Sequence, residues 1–394
     1  MSYYNYDYHD LKINEPKEYN CFINLNSQWW NKNVPSSRNV IKKLLNINYN
    51  CSVYKLFTRD LEVLGNIKLF NKKAIVAFNN WELIKIISNY NWVENEILKL
   101  IDYKDTIECV AVGNEPLGVW YNNEFTPLLV NATKIISHII KINMPNVQIT
   151  VPFNFAIFDN TYPPSNSVIR LSLRNVVIET LNIIKNHSKN SPVMVNIYPY
   201  LTYKQNTDLI DINFALGKNS PFYIRDGEYL YKSLFSVMYD SALVAIKKEG
   251  FDMDLVIGEV GWPDKEGIGA NTENHCNALE QLKIEQTTGT PRQPGPLQLY
   301  LFEAIDEPWK EIGPGLTERH WGILRIDLSY KCDSSVILSN SNYYQNNNNS
   351  ILWLLLLIPG LLIIVLPMIF KKKKKIYKRV SFNNYMSIPN TVQS

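Results

Sequence analysis

Two glutamates stand where carboxylates can do chemistry. Glu259 closes the apolar run Leu255-Val256-Ile257-Gly258, and Val260-Gly261-Trp262-Pro263 follows it. Glu115 lies just past a second run, Ile107-Glu108-Cys109-Val110-Ala111-Val112, after Gly113 and Asn114. Each run is short and rich in β-branched residues, as suits a strand buried on both faces, and each ends at glycine and proline. Two carboxylates at two strand ends suit acid/base and nucleophile chemistry on a glycosidic bond. One carboxyl protonates the leaving oxygen while the other acts on the anomeric carbon.

The elements that must position these residues alternate along the chain. Strands are expected at Cys21–Asn24, Cys51–Leu56, Ala74–Phe78, Ile107–Val112, Val147–Val151, Val193–Ile197, Leu255–Glu259 and Leu299–Phe302. Helical patterns lie at Ser36–Leu45, Trp81–Ile87, Trp92–Ile101, Pro127–Ile142, Leu173–Ile184, Glu228–Lys248 and Thr272–Gln286. In the fourth of these, Leu128, Ala132, Ile135, Ile136 and Ile139 share a stripe. Eight strands, each followed by a helix or a long loop, predict an α/β fold of the (β/α)8 TIM-barrel type. Its active site belongs at the carboxyl ends of the strands. On this count Glu115 ends strand four and Glu259 ends strand seven, so both face one mouth.

The rest of the chain divides by composition. Residues 1–20 form a polar segment without the apolar core of a signal peptide, residues 21–332 the barrel, and residues 333–350 a Ser/Asn-rich linker. Residues 351–370 carry no charge and are long enough to cross a bilayer as one helix; residues 371–394 make a basic tail. The formal net charge of +3 is concentrated in that tail, at Lys371–Lys375, Lys378 and Arg379. Without them the remainder is mildly acidic, so nucleic acid is not an expected partner. The positive-inside rule keeps the tail cytoplasmic and the barrel extracellular or luminal. Sequons at Asn50, Asn131, Asn186 and Asn348 permit glycosylation there. A signal peptide that is not visible conflicts with that topology: either the start of the chain is incomplete, the favoured reading, or the single span inserts late and leaves the barrel in the cytosol. Five scattered cysteines show no metal-ligand spacing; they read as buried free thiols, with Cys21 and Cys51 as possible neighbours. The five histidines read as structural or surface residues, and no metal or cofactor is expected.

From about Cys21 to Tyr330 the chain resembles glycoside hydrolase family 17, the β-1,3-glucanases of plants and fungi. The family's acid motif stands as Val112-Gly113-Asn114-Glu115, and its nucleophile motif as Glu259-Val260-Gly261-Trp262-Pro263. The Tyr-Pro-Pro-Ser loop is Tyr162-Pro163-Pro164-Ser165, and the sixth strand ends in Asn196-Ile197-Tyr198-Pro199-Tyr200. Gly289-Thr290-Pro291, then Phe302 to Glu307 with Lys310, and Glu318 before Trp321-Gly322-Ile323-Leu324 complete the set. Two departures bear on donor-side subsites and substrate preference. Asn24-Leu25-Asn26 replaces the usual Asn-Tyr-Gly, and Val260 replaces threonine.

The resemblance implies a retaining β-1,3-glucan hydrolase, with Glu259 as nucleophile and Glu115 as acid/base. It implies that Tyr198 donates to Glu259, and that Asn114 bonds the sugar 2-hydroxyl. Glu307, Lys310 and Glu318 form either a hydroxyl-binding cluster or a structural ion pair. Trp262 and Tyr200 either stack on sugar or pack around the carboxylates. A glucanosyltransferase of the same fold and an inactive, membrane-tethered glucan-binding protein are the alternatives. A monomer is expected, with glucan and the membrane as its partners.

Overall fold

The computed structural model describes residues 34–47, 49, 51–310 and 315–332, and the backbone of residues 19–22. The stretch Asn24-Leu25-Asn26, most of the polar N-terminal segment, the linker, the apolar stretch 351–370 and the basic tail lie outside the described residues. Among the described residues no helix is long and apolar enough to cross a membrane. The chain divides into two compact units, 1–330 and 331–394, and the barrel lies in the first.

Eight parallel strands close on themselves. They are β1 (Tyr19–Phe22), β2 (Cys51–Lys55), β3 (Lys73–Phe78), β4 (Ile107–Val112), β5, β6 (Val193–Asn196), β7 (Leu255–Val260) and β8 (Leu299–Leu301). Strand β5 runs as Gln148–Thr150 and Pro152–Asn154, interrupted at Val151. Its first part pairs with β4 and its second with β6, so this one strand joins both margins of the sheet. Closure removes the edges, and the helices outside bury the second face of each strand. Every residue of β7 is buried, as is every residue of β4 but Glu108. That double burial is why these strands read as continuous apolar runs.

The helical shell adds helices at Leu61–Leu69 and Pro199–Gln205 that were not expected, and two expected helices differ in detail. Helix Thr126–Asn143 turns inward Leu129, Ala132, Ile136, Ile139 and Ile140, rather than Leu128 and Ile135. The long apolar segment allowed more than one stripe at helical spacing, and packing chose between them. Glu228–Lys248 is not one helix. Gly227-Glu228 makes a hairpin turn that pairs Ile224–Asp226 with Tyr229–Tyr231. The helix begins at Leu234, where Ser233 Oγ accepts from Ser236 N at 3.1 Å. The alternation Tyr-Leu-Tyr was a strand signal inside a helical one.

The cysteines also correct the sequence reading. Cys51, Cys276 and Cys332 are disulfide-bonded, whereas Cys109 is a buried free thiol. Residues scattered this widely meet only through the fold, and spacing carries no sign of it.

One buried acid outside the site makes stability depend on pH. Glu285, on helix Thr272–Thr288, is 4 % exposed, and burial pushes its carboxyl up to about 7, against bonds from Ser233, Gln281 and Ser236. The unfolded chain releases that proton near an ordinary carboxylate pKa, roughly 4.3. Stability therefore falls as pH rises from there through about 7. Glu285→Gln, which mimics the neutral acid, is expected to raise Tm at pH 8 and leave it nearly unchanged at pH 5. Calorimetry at the two pH values checks this.

Candidate active site

Glu115 and Glu259 stand at the carboxyl ends of β4 and β7, on the same mouth of the barrel. The chain past β4 turns sharply. Gly113 has φ 74° and Glu115 has φ 52°, both left-handed. Gly113 needs to be glycine twice over, because an added Cβ would also fall 2.6 Å from Asn80 Oδ1. Asn80, just after β3, clasps this turn. Its Nδ2 donates to Asn114 O at 2.7 Å, and its Oδ1 accepts from Asn114 N at 2.9 Å. Glu115 N donates to Pro152 O at 2.8 Å. A left-handed glutamate is a strained residue that its surroundings must hold in place, and such residues gather at functional sites.

The two carboxyl groups have different environments. Glu259 is 4 % exposed, and each of its oxygens accepts a hydrogen bond. Lys55 Nζ, at the end of β2, donates to Oε1 at 2.8 Å, and Tyr198 Oη donates to Oε2 at 2.6 Å. An ammonium and a phenol aimed at one carboxyl suit the anion. Lys55 is itself 1 % exposed. Burial lowers its amine pKa, and contact with Glu259 opposes that. Glu115 is half-buried, and Asn196 Nδ2 donates to its Oε1 at 3.0 Å. Burial first, and then the charge of Glu259, push its carboxyl up to about 7, against bonds from Asn154 and Asn196 and the charge of Lys55. A carboxyl with a raised pKa beside one that accepts from an ammonium and a phenol is an arrangement for one proton donor and one nucleophile.

Asn196 links the pair, since it ends β6 in register with Glu259 and bonds Glu115. Its Nδ2 also lies 3.5 Å from Asn114 Oδ1.

A second cluster adjoins the first. Lys310 Nζ sits 3.7 Å from Glu307 Oε2, 3.5 Å from Glu318 Oε2, and 4.5 Å from the centre of the Phe302 ring. Burial alone would lower the Lys310 pKa; the carboxyls of Glu303, Glu307, Glu318 and Glu259 hold it above the ordinary value. Through that field the ammonium is coupled to Glu259 as well as to its own ion pairs. Glu303 is fully buried, and burial together with Glu307 raises its pKa well above the carboxylate range, against Lys310.

Trp262 does not line the site. It is 1 % exposed, its Nε1 donates to Gly269 O at 2.9 Å, and its ring lies edge-on to Tyr200 at 5.1 Å. Tyr200 is wholly buried. Neither ring offers a face to a sugar; both are buried and pack edge to face on each other. Asp264, Asp306 and His320 bring ligand-type atoms within 4.8 Å of one another. All three already interact with other protein groups, among them Gly322 N, which donates to Asp306 Oδ1 at 2.9 Å.

Sequence reasoning passed over Lys55, Asn80, Asn154, Asn196 and Glu303 as site residues. Asn196 and Glu303 lay inside quoted motifs without an assigned role. Lys55 had one available signal, a lone cation at the end of an otherwise buried strand.

Residues 23–334 match the model of the glycosyl hydrolases family 17. The chain belongs to that family. Among its relatives is glucan endo-1,3-beta-glucosidase 8 of Arabidopsis thaliana, 32 % identical over 292 residues, which are 71 % of this chain and 60 % of the relative. The chain thus spans about three fifths of that family-17 relative's length. Its fold is like that of CJP38, a beta-1,3-glucanase and allergen of Cryptomeria japonica pollen, with TM-score 0.74 and 24 % identity over 80 % of this chain and 98 % of that one. The fold is also like that of a family-17 beta-1,3-glucanosyltransferase from Rhizomucor miehei, with TM-score 0.51 and 14 % identity over 80 % and 96 %.

Proposed function

We propose that the protein hydrolyses β-1,3-glucan with retention of anomeric configuration, with Glu259 as nucleophile and Glu115 as acid/base. The observation that carries this reading is the unequal pair itself. Lys55 and Tyr198 bond both oxygens of Glu259, while Glu115 beside it has a pKa raised to about 7. Membership of family 17 and the likeness to endo-1,3-beta-glucosidases support this choice of substrate class.

In the first step Glu115 gives its proton to the leaving glycosidic oxygen as Glu259 Oε attacks the anomeric carbon. The products are a shortened glucan and a glycosyl ester on Glu259. Esterification removes the charge that helped hold the proton on Glu115, so Glu115 becomes the stronger acid and stays ionised. As the carboxylate it then takes a proton from water, which displaces Glu259. Asn114 bonds the sugar 2-hydroxyl, where contacts tighten in the oxocarbenium-like transition state. Glu307, Lys310 and Glu318 bind sugar hydroxyls and shape the field at Glu259. Neither step needs a cofactor.

The first step needs Glu115 protonated. The rate on β-1,3-glucan is therefore expected to fall as pH rises through about 7. The pH profile of kcat/KM checks this, and in Glu115→Gln, which has no proton to lose, the basic limb should vanish. Product analysis with a reduced laminari-oligosaccharide tests hydrolysis: shorter products support it, and longer ones mean that a sugar hydroxyl replaces water, as in a glucanosyltransferase. No turnover on β-1,3-, mixed-linkage or β-1,4-glucan would leave only a tethered binding protein.

The barrel acts as a monomer outside the cell or in a lumen, held by one span at 351–370 with the basic tail in the cytoplasm. Disulfides at Cys51, Cys276 and Cys332 suit an oxidising compartment, and Asn131 and Asn186 of two sequons are exposed. Protease treatment of intact vesicles tests this, and a barrel digested from the cytosolic side would overturn it.

A further inference from the structure

Two exposed tryptophans stand on the loops after β3 and β4, the strands that lead into the acid/base turn. Trp81 is 64 % exposed and Trp120 51 %. Large exposed apolar groups clustered on one face mark contact surfaces more often than isolated ones do. These two are also rigidly mounted. Trp81 sits in the short helix Asn80–Glu82, and both of its neighbours are pinned. Asn80 clasps Asn114, while Glu82 closes a capping box with Asn79 and pairs with Arg59 at 2.7 Å. The Trp81 ring meets the edges of Phe125 at 5.0 Å and Tyr121 at 6.2 Å. Trp120 lies over Gly118, where an added Cβ would come within 2.5 Å of the indole, and is braced by Tyr121 at 5.8 Å.

We propose that Trp81 and Trp120 form an auxiliary platform for glucosyl units of a long β-glucan chain, beyond those held over Glu115 and Glu259. This deepens the glucanase reading and rests on it for the identity of the chain. Pyranose rings present apolar C–H faces that stack on indoles, and a rigid indole loses little entropy in binding them. The site chosen is the active mouth: Asn80 ties the Trp81 turn to the residue before Glu115, and Trp120 follows Glu115 in the same loop. Both rings meet Tyr121, which ties them into one surface.

The test compares wild type with Trp81→Ala, Trp120→Ala and the double variant on polymeric laminarin and on laminaritriose. Each substitution is expected to raise KM for the polymer roughly two- to tenfold with kcat little changed. The ratio of polymer to laminaritriose kcat/KM should fall by the same factor. An unchanged ratio in the double variant overturns the platform, and so does an equal loss on both substrates. Affinity electrophoresis in gels containing laminarin separates this claim from the hydrolytic one. Wild type retarded by laminarin and the double variant running freely supports the platform even without turnover, whereas equal mobility of the two proteins overturns it. A shift of the double variant from dimer to monomer in sedimentation, with glucan retardation unchanged, would assign the surface to a second copy of the chain and likewise overturn the proposal.

Discussion

Glu259→Ala is expected to lower kcat on β-1,3-glucan by a factor on the order of 10^4 to 10^6, as loss of a covalent nucleophile does elsewhere. The substitution also breaks the buried pair with Lys55 from one side, so Tm should fall, and activity is compared well below the variant's melting temperature. The chemistry of rescue separates nucleophile from acid. Azide entering the space left by Glu259 attacks the anomeric carbon from that face and yields the α-glycosyl azide. In Glu115→Ala, azide instead displaces Glu259 from the glycosyl ester and yields the β-anomer. Nuclear magnetic resonance of the azide products reads the configuration; the opposite pairing would exchange the two roles.

The second large effect falls on stability. Lys55 and Glu259 are almost wholly buried and bond each other at 2.8 Å, so Lys55→Met leaves a carboxyl with no ammonium beside it. Breaking such a pair from one side costs about 3–5 kcal/mol. Lys55→Met is therefore expected to melt well below wild type. Neutralising the partner should undo much of the loss in stability. The double variant Lys55→Met/Glu259→Gln is expected to be more stable than Lys55→Met alone, while remaining inactive. Equal Tm values for Lys55→Met and wild type would mean that the pair contributes little, and that Lys55 acts on catalysis alone.

These two residues also show where sequence reading reaches its limit. Glu115 and Glu259 were legible because each sits where an apolar run stops, and a buried strand must end in something that turns it. The barrel was legible for the same reason: eight such runs recur with helical patterns or long loops between them. Lys55 was not legible as a partner, because it lies 204 residues from Glu259 and has no periodicity of its own. The disulfides of Cys51, Cys276 and Cys332 depend on the same kind of long-range meeting. Trp262 failed differently. Its place beside Glu259 in sequence suggested a wall for sugar, yet the indole is buried and donates to Gly269 O. Trp81, read only as the start of a helix, and Trp120, not singled out, are the exposed indoles among the described residues. Which side of a turn an aromatic faces is set by backbone geometry that composition does not encode.

The pair of glutamates is tested most directly by catching the covalent intermediate. A 2-deoxy-2-fluoro-laminaribiosyl fluoride forms the glycosyl ester readily and releases it slowly, because fluorine destabilises the oxocarbenium-like transition state of hydrolysis. After digestion, mass spectrometry should find one added disaccharide on the peptide carrying Glu259, and none on Glu259→Gln. A label on the Glu115 peptide, or turnover with inverted configuration and no label, would contradict the account.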